Sequence, residues 1–407
     1  MSNGLKKTVS RRVQELGASI FAKLHALKLE KLAAGHSIID LSIGSPDLPP
    51  VAELRMELAR ALEPADAFQY PSSRGTLAFR EMAAQWMQAR FGVELDPHSE
   101  ILVLIGTQDG LAHLPLAIGD VGDLALVPDP GYPIHLIGAQ IAGMEIYRLT
   151  LREENGFLPD LQSIPEDIKQ RASLLMLSYP SNPTSAVATR EDILKWVDFA
   201  QENGVLLAHD LAYSEMAFDG EVPMSVLSIP GAKEVAVEFH SLSKSFHLAG
   251  ARIGFIAGNA KVIESLHALK ANIDYGVFEP VQQTGIAALS ADLERIGRGE
   301  QAPASLIYAQ RRALFVEGLR SIGWEVPMPR ATMFVWAPVP DGYRSEQFAE
   351  QLLEKAGVVV VPGNAFGEAG EGYVRIAMVQ SESMLRDAIE RIRDFWNNEI
   401  VTLEEKK

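Results

Sequence analysis

The sequence predicts an α/β protein with a mostly parallel, seven-stranded sheet in a large domain and a smaller α+β domain beside it. Between about residues 46 and 290, seven short apolar runs alternate with segments of helical periodicity. Continuous apolar runs indicate strands that are covered on both faces, as in a parallel sheet. From about residue 291 the pattern changes to long helices with few strands. The length of 407 residues also favours two domains.

The predicted strands of the large sheet are short and apolar. They are residues 100–106, 123–127, 145–151, 173–178, 205–210, 234–241 and 252–257. Residues 189–203 predict a helix, because Thr189 suits the N-cap and Asp192 stands at the third helical position, close to a capping box. Gly204 then ends this helix.

The sequence pattern in the rest of the chain predicts the smaller domain. It shows helical patterns at 305–321, 345–356 and 381–396, with strands at 358–361 and 373–378. A helical N-terminal stretch, residues 11–34, is expected to pack with it. We therefore predict a large domain at 46–290 and a small domain formed by 1–45 and 291–407.

Composition and charge exclude several classes of protein. A net charge of −16 argues against a nucleic-acid partner, because phosphate backbones need clustered cations. Without cysteine the chain has no disulfide, thiolate metal site or cysteine nucleophile, and no metal is predicted. The N-terminus lacks an apolar signal sequence, and no apolar run approaches the roughly 18 residues of a membrane span. We expect a cytoplasmic enzyme without a membrane partner.

Polar side chains follow the predicted strands at the edge where parallel sheets bind ligands. Thr107 and Gln108 follow the first strand and open a helix, whose N–H groups suit a phosphate. Asn182 follows the fourth strand between two prolines. Taken singly, a helix N-cap or a plain turn explains each of these features as well or better.

The fifth and sixth strands end in side chains that are costly to bury. Asp210 ends the fifth strand, with Tyr213 close behind, and a buried carboxylate needs a cation or a donor. Capping of a following helix is the alternative for Asp210. Ser241 ends the sixth strand, and Lys244 follows it, although lysine is rarely buried without a partner. Arg252 stands at the start of the seventh strand.

Together these strand ends offer an amine, a carboxylate, a phenol, an amide and an anion-binding group. Pyridoxal 5'-phosphate requires such a set. Its aldehyde forms a Schiff base with a lysine amine, and its ring nitrogen works best beside a carboxylate. Its phenolic oxygen needs donors, and its phosphate needs cations and N–H groups. The sequence therefore predicts this cofactor.

The segment SLSKSFHLAGARIG, residues 241–254, resembles the cofactor-lysine signature of class I/II aminotransferases, which are fold type I pyridoxal-phosphate enzymes. The resemblance extends from about residue 38 to 378. The strings EFHSLSKSF, HDLAYSEMAFDG, PSSRGTLAFR and IDYGVF are most similar to the branch of bacterial alanine and LL-diaminopimelate aminotransferases. The chain departs from that branch at Phe246-His247-Leu248, at Ala251 and at Ala18-Ser19-Ile20. The resemblance implies the fold type I architecture and a homodimer with shared active sites.

The resemblance also implies residue roles. Lys244 would form the Schiff base and shuttle the proton, while Asp210 would pair with the ring nitrogen. Tyr213 and Asn182 would bind the phenolic oxygen. The other implied cofactor contacts are Tyr132 on the ring, Ser241, Ser243, Arg252, Thr107 and Gln108 at the phosphate, and Tyr70 at the phosphate of the partner subunit. The implied substrate contacts are Gly44, Asn182 and Arg375. Surface packing for Tyr132 and a structural ion pair for Arg375 are the alternatives.

The implied reaction is a ping-pong transamination between an L-amino acid and a 2-oxo acid such as 2-oxoglutarate or pyruvate. Alanine is expected first as the amino donor and LL-diaminopimelate second. A cystathionine-type β-lyase of the same fold is an alternative, because it would share the cofactor residues. A non-catalytic, cofactor-binding regulator is a further alternative, which the negative charge and the intact set of Lys244, Asp210 and Arg375 disfavour. The S-x-x-K pattern of serine β-lactamases also matches at Ser241, but their S-D-N and K-T-G motifs do not occur.

Overall fold

The computed structural model describes residues 8–16 and 20–401, and its strands form three sheets. The strands are β1 (Ile39–Asp40), β2 (Ile101–Leu104), β3 (Leu124–Asp129), β4 (Glu145–Thr150), β5 (Ala172–Leu177), β6 (Leu206–Asp210), β7 (Ala236–Ser241), β8 (Gly254–Gly258), β9 (Phe334–Pro338), β10 (Val358–Val359), β11 (Val361–Pro362) and β12 (Tyr373–Ala377). All seven strands predicted for the large sheet are present as β2 to β8.

Helices cover the sheets and connect their strands. They are α1 (Arg11–Glu15), α2 (Ile20–Ala33), α3 (Ala52–Ala61), α4 (Leu77–Phe91), α5 (Thr107–Ile118), α6 (Pro133–Ala142), α7 (Glu166–Arg171), α8 (Arg190–Asn203), α9 (Leu242–Ser245), α10 (Ala260–Ile273), α11 (Glu279–Gly297), α12 (Pro303–Arg320), α13 (Ser345–Gln351) and α14 (Glu382–Phe395). The capping box predicted for α8 is confirmed, because Thr189 and Asp192 each accept a hydrogen bond from the other's backbone N–H. Gly204 ends α8 in the left-handed conformation.

The large sheet has the strand order β2-β8-β7-β6-β5-β3-β4. Its strands run parallel except β8, which is antiparallel to both β2 and β7. This arrangement confirms the predicted mostly parallel, seven-stranded sheet. Arg252 does not begin a strand as predicted, because it is left-handed with φ 55° and β8 begins only at Gly254.

A second hydrophobic core lies around the two small sheets. Strands β11, β12 and β9 form an antiparallel sheet, and β1 pairs with β10 in parallel. Phe315, Phe348 and Ile392, from three different helices, are fully buried in this core. The predicted strand at 358–361 is two strands, because its first half pairs with β1 and its second half with β12.

The division into domains at 46–290, and at 1–45 with 291–407, stays a prediction. Residue 290, its boundary, lies within α11, whose Ala288 and Leu289 are buried in the core of the large sheet. The predicted helix at 345–356 begins as α13 and continues in a wider helical turn, Leu352–Ala356.

The N-terminal helical stretch is present as the two helices α1 and α2. Lys23 of α2 forms an ion pair with Glu350 on α13 (Nζ–Oε1 2.7 Å), and the ring of Phe21 contacts the edge of Phe366 with centroids 5.7 Å apart. These contacts attach α2 to the second core. Ala18 and Ser19, which depart from the family pattern, lie outside the described residues. Within the described part of the chain, no helix is long and apolar enough to cross a membrane.

A substitution at Gly75 measures how tightly the turn before α4 packs on the large sheet. Its φ is 87°, and a Cβ there would lie 2.1 Å from Val103 Cγ2. Gly75→Ala is expected to lower the free energy of unfolding by about 2–4 kcal/mol, from overpacking and left-handed strain together. The control is Gly204→Ala, where φ is 65° and nothing lies within 4 Å. The control should lose only about 1 kcal/mol. Urea unfolding measures both, and equal losses would contradict the packing argument.

Candidate active site

A cavity of about 480 Å³ lies at the carboxyl ends of the central strands, within the size range of small-molecule sites. Every predicted site residue except Tyr70 lines this cavity: Gly44, Thr107, Gln108, Tyr132, Asn182, Asp210, Tyr213, Ser241, Ser243, Lys244, Arg252 and Arg375. Helix α2 also contributes to its wall.

The strand order of the sheet brings these residues together. Asp210 is the last residue of β6, and Lys244 lies in α9 directly after the neighbouring strand β7. Thr107 is the first residue of α5, just after β2. Since β6 and β7 run in parallel, their carboxyl ends deliver an anionic and a cationic group to the same edge of the sheet.

Lys244 is held on the cavity wall in a cationic environment. Its Nζ donates a hydrogen bond to the carbonyl oxygen of Gly44 at 2.5 Å. Burial and, to a smaller extent, the positive charges of Arg375 and Arg252 together lower the pKa of Lys244 to about 8, against the opposing effect of Asp210. The amine is therefore neutral in a larger fraction of molecules at physiological pH than an ordinary lysine.

Asp210 is 4% exposed, and only one of its carboxylate oxygens has a partner. Oδ2 lies 3.2 Å from Nε2 of His135, which is fully buried in α6. Oδ1 has no hydrogen-bond partner within the described part of the chain. An unsatisfied buried acceptor costs about 1–3 kcal/mol, so this oxygen favours a ligand that carries an N–H donor.

His135 was missed by the sequence analysis. The only signal for it is its position three residues after Tyr132, in the first turn of the same helix. A buried histidine is ordinarily a core residue, and its contact with Asp210 spans 75 positions of the chain.

Arg375 is a buried cation, 3% exposed, without an acidic partner in the described ranges. Its two terminal nitrogens donate to Asn182 Oδ1 at 2.9 Å and to the carbonyl oxygen of Ser42 at 2.8 Å. The guanidinium lies over the rings of Phe334 and Phe366, at 4.3 and 4.7 Å from their centroids. Burial lowers the pKa of Arg375 to about 10, so it remains charged at neutral pH. The arrangement suits a ligand carboxylate rather than a structural ion pair.

Three of the predicted phosphate contacts, Thr107, Gln108 and Arg252, lie at the turn between β2 and α5. Gly106 precedes Thr107, and a Cβ at Gly106 would lie 2.6 Å from Arg252 Nη2. Glycine is therefore required for the Arg252 guanidinium to approach the turn. The Asp109 carboxylate stabilises this turn, since it accepts hydrogen bonds from Ile105 N at 3.0 Å and from the Lys270 ammonium.

Two tyrosines border the same cavity. Tyr132 donates a hydrogen bond to Gln108 Oε1 at 3.1 Å. Burial raises the pKa of Tyr213 far above its usual value, so its hydroxyl stays protonated and can donate. Tyr70, in contrast, is 89% exposed and lies outside this cavity, with its ring 5.4 Å from that of Tyr275.

The donor set of this cavity fits pyridoxal phosphate. The unpartnered Asp210 Oδ1 matches a protonated ring nitrogen, and the Lys244 amine matches an aldehyde. Thr107, Ser241 and Ser243 are buried hydroxyls that line the same cavity as the Arg252 guanidinium, and a phosphate requires such a set of donors. The fold and this site define a pyridoxal-phosphate enzyme of fold type I.

The chain belongs to the family described as aminotransferase class I and II, which it matches over residues 36–392. It is 46% identical over 384 residues to an LL-diaminopimelate aminotransferase of Moorella thermoacetica, covering 94% of this chain and 97% of that protein. A protein of the same name from Syntrophobacter fumaroxidans is also 46% identical, over 94% of this chain and 98% of its own. Among solved structures, substrate-bound BacF from Bacillus subtilis has a TM-score of 0.91 at 35% identity, covering 96% of this chain and 98% of that one.

These comparisons confirm the predicted aminotransferase and its pyridoxal-phosphate cofactor. The substrates of the enzyme are small-molecule amino acids and 2-oxo acids. The expectation of alanine as the first amino donor finds no support among the relatives, whose names give LL-diaminopimelate.

The amine of Lys244 in the cofactor-free protein is expected to gain reactivity with a midpoint near pH 8. A lysine with a lowered pKa is neutral above that pH, whereas an ordinary lysine becomes neutral only near 10.5. Labelling with trinitrobenzenesulfonate over neutral to alkaline pH, resolved by peptide mass spectrometry, measures the midpoint. Arg375→Met should raise it, because a cation that disfavours the ammonium is removed. A wild-type midpoint near 10.5 would contradict the electrostatic account.

Proposed function

We propose that this aminotransferase takes LL-diaminopimelate as its amino donor and 2-oxoglutarate as its acceptor. The observation that carries the reaction is that Lys244, Asp210 and Arg375 share one cavity, where Arg375 has no acidic partner among the described residues. The donor is supported by relatives of that name at 42–46% identity over nearly the whole chain.

The cofactor would be held by residues from several strand ends. When bound, it supplies an aldehyde that captures amines and a ring that withdraws electrons from the substrate's α-carbon. Asp210 would face the ring nitrogen, and Tyr213 and Asn182 the phenolic oxygen. The remaining contacts would be Tyr132 at the ring and Thr107, Gln108, Ser241, Ser243 and Arg252 at the phosphate.

Arg375 would orient the substrate by its α-carboxylate. Asn182 and Ser42 already fix the guanidinium plane, so its remaining N–H groups are directed before the substrate arrives. The backbone of Gly44 adjoins this guanidinium, since a Cβ there would lie 3.7 Å from both terminal nitrogens. The backbone N–H of Gly44 would be a second donor to the substrate's α-carboxylate.

Lys244 would carry the proton. Its neutral amine would remove the proton from the substrate's α-carbon and hold it for return, while the bound cofactor would accept the amino group and water would supply the oxygen of the released 2-oxo acid. General acid–base catalysis needs a pKa near the working pH, and the lowered pKa of Lys244 meets this requirement. His135 would act as a positioning residue that keeps the Asp210 carboxylate directed at the cavity.

A homodimer with shared active sites is part of this proposal. The described surface has a group of exposed aromatic residues, Phe68, Tyr70, Tyr275 and Phe278, in which Phe68 pairs with Phe278 and Tyr70 with Tyr275. Exposed apolar patches of this kind favour a protein interface. Tyr70 would then reach the phosphate in the partner subunit. The cytoplasm remains the expected compartment of the enzyme.

The donor assignment is tested by amino transfer to 2-oxoglutarate, measured as glutamate formed. LL-diaminopimelate is expected to exceed L-alanine at least about tenfold in kcat/KM, which corresponds to about 1.4 kcal/mol. Lys244→Ala should lose about 10²–10⁴-fold in rate, because it removes the acid–base group. Lys31→Ala, in α2 but outside the residues that line the cavity, is the control and should keep full activity.

Two results would count against the proposal. Equal or better turnover of L-alanine would remove LL-diaminopimelate as the donor. Release of ammonia and pyruvate from cystathionine without an added 2-oxo acid would favour the β-lyase alternative.

A further inference from the structure

One cation of the active-site cavity has no role in the proposed reaction. The lysines and arginines that line the cavity are Lys28, Lys244, Arg252 and Arg375. Lys244 is assigned to proton transfer, Arg252 to the phosphate and Arg375 to the α-carboxylate. Lys28, in the middle of α2, remains.

The ammonium of Lys28 is held by one ion pair among the described residues, and this ion pair uses only one of its N–H donors. Its Nζ donates to Asp40 Oδ2 at 2.9 Å, and the two side chains are only 19% and 14% exposed. The other oxygen of Asp40 accepts hydrogen bonds from the backbone N–H and the hydroxyl of Ser42, at 2.9 and 2.6 Å. A lysine ammonium has three N–H donors, so Lys28 keeps donors beyond the one that Asp40 accepts.

Two chains of contacts connect Lys28 to the α-carboxylate site. Ser42, which binds Asp40, also accepts a hydrogen bond from Arg375 Nη2 through its carbonyl oxygen. On the other side, Phe21 of α2 contacts Phe366, whose ring lies under the Arg375 guanidinium. Lys28 and Arg375 therefore line the same cavity and are connected to each other through its wall, so an extended substrate bound in the cavity can approach both.

We propose that Lys28 is a specificity-determining residue that binds the distal carboxylate of the substrates. This inference rests on the proposed function, because LL-diaminopimelate and 2-oxoglutarate share a second carboxylate at the end remote from the reacting carbon. The long, flexible stem of lysine lets one ammonium meet carboxylates on chains of different length. The adjacent Asp40 carboxylate offers an acceptor for the distal ammonium that LL-diaminopimelate carries in addition.

A purely structural role for Lys28 makes a different prediction. If the ion pair with Asp40 only attached α2 to the protein, its loss would weaken every ligand of the cavity alike. A role in recognition would instead affect ligands with a distal carboxylate and spare those without one.

The test compares glutarate with pentanoate, two unreactive acids of equal chain length that differ by one carboxylate. Their Kd values for the cofactor-loaded enzyme are measured by isothermal titration calorimetry. In Lys28→Met the Kd for glutarate should rise about tenfold to a hundredfold, as expected for one lost charge-assisted hydrogen bond. The Kd for pentanoate should stay within about twofold, which is below the effect of a typical hydrogen bond. Lys28→Arg should keep most of the preference for glutarate.

The matched control is Lys31→Met, which removes a charge from the same helix without touching the cavity, and it should leave both Kd values unchanged. Equal weakening of glutarate and pentanoate in Lys28→Met, or no change for either, would overturn the inference. Failure of the proposed function is distinguished from failure of this inference by the wild-type enzyme. If the proposed function is wrong, the wild-type enzyme does not turn over LL-diaminopimelate, whatever its preference for glutarate. Thermal unfolding of each variant verifies that the compared proteins are folded.

Discussion

The imbalance of charge in the active-site cavity is the constraint on which the rest of the site depends. Lys244, Arg252 and Arg375 share this cavity with Asp210, and neither Arg375 nor Asp210 Oδ1 has a complementary charged partner in the described chain. Removing charges from water costs free energy unless opposite charges or donors compensate. An anionic cofactor with a cationic ring, together with the carboxylate of an amino-acid or 2-oxo-acid substrate, compensates for this cost.

The fold makes this imbalance possible by fixing each group from outside the cavity. His135 holds one oxygen of Asp210, while Asn182 and Ser42 hold Arg375. These supports come from segments far apart in the chain, so the site forms only when the large sheet and the second core are packed together. The lowered pKa of Lys244 follows from the same burial and the same neighbouring cations.

Much of this architecture could be predicted from the sequence because it depends on local patterns. Continuous apolar runs predicted every strand of the large sheet, and Thr189 with Asp192 predicted the start of α8. The side chains that line the cavity could be predicted because parallel strands end at one edge. His135 and the supporting rings of Phe334 and Phe366 could not, since tertiary contacts alone give them their roles. The break between β10 and β11 was also missed, because it depends on two different partner strands. The amino donor depends on pocket shape, which motif spacing does not encode.

Reduction of the cofactor-loaded enzyme with borohydride tests the central claim most directly. The reduced bond between the cofactor and its lysine survives proteolysis, so peptide mass spectrometry identifies the residue. The cofactor mass is predicted on the peptide that contains Lys244 and on no other lysine-containing peptide. A label on another lysine, or a reduced protein without any label, would contradict the account.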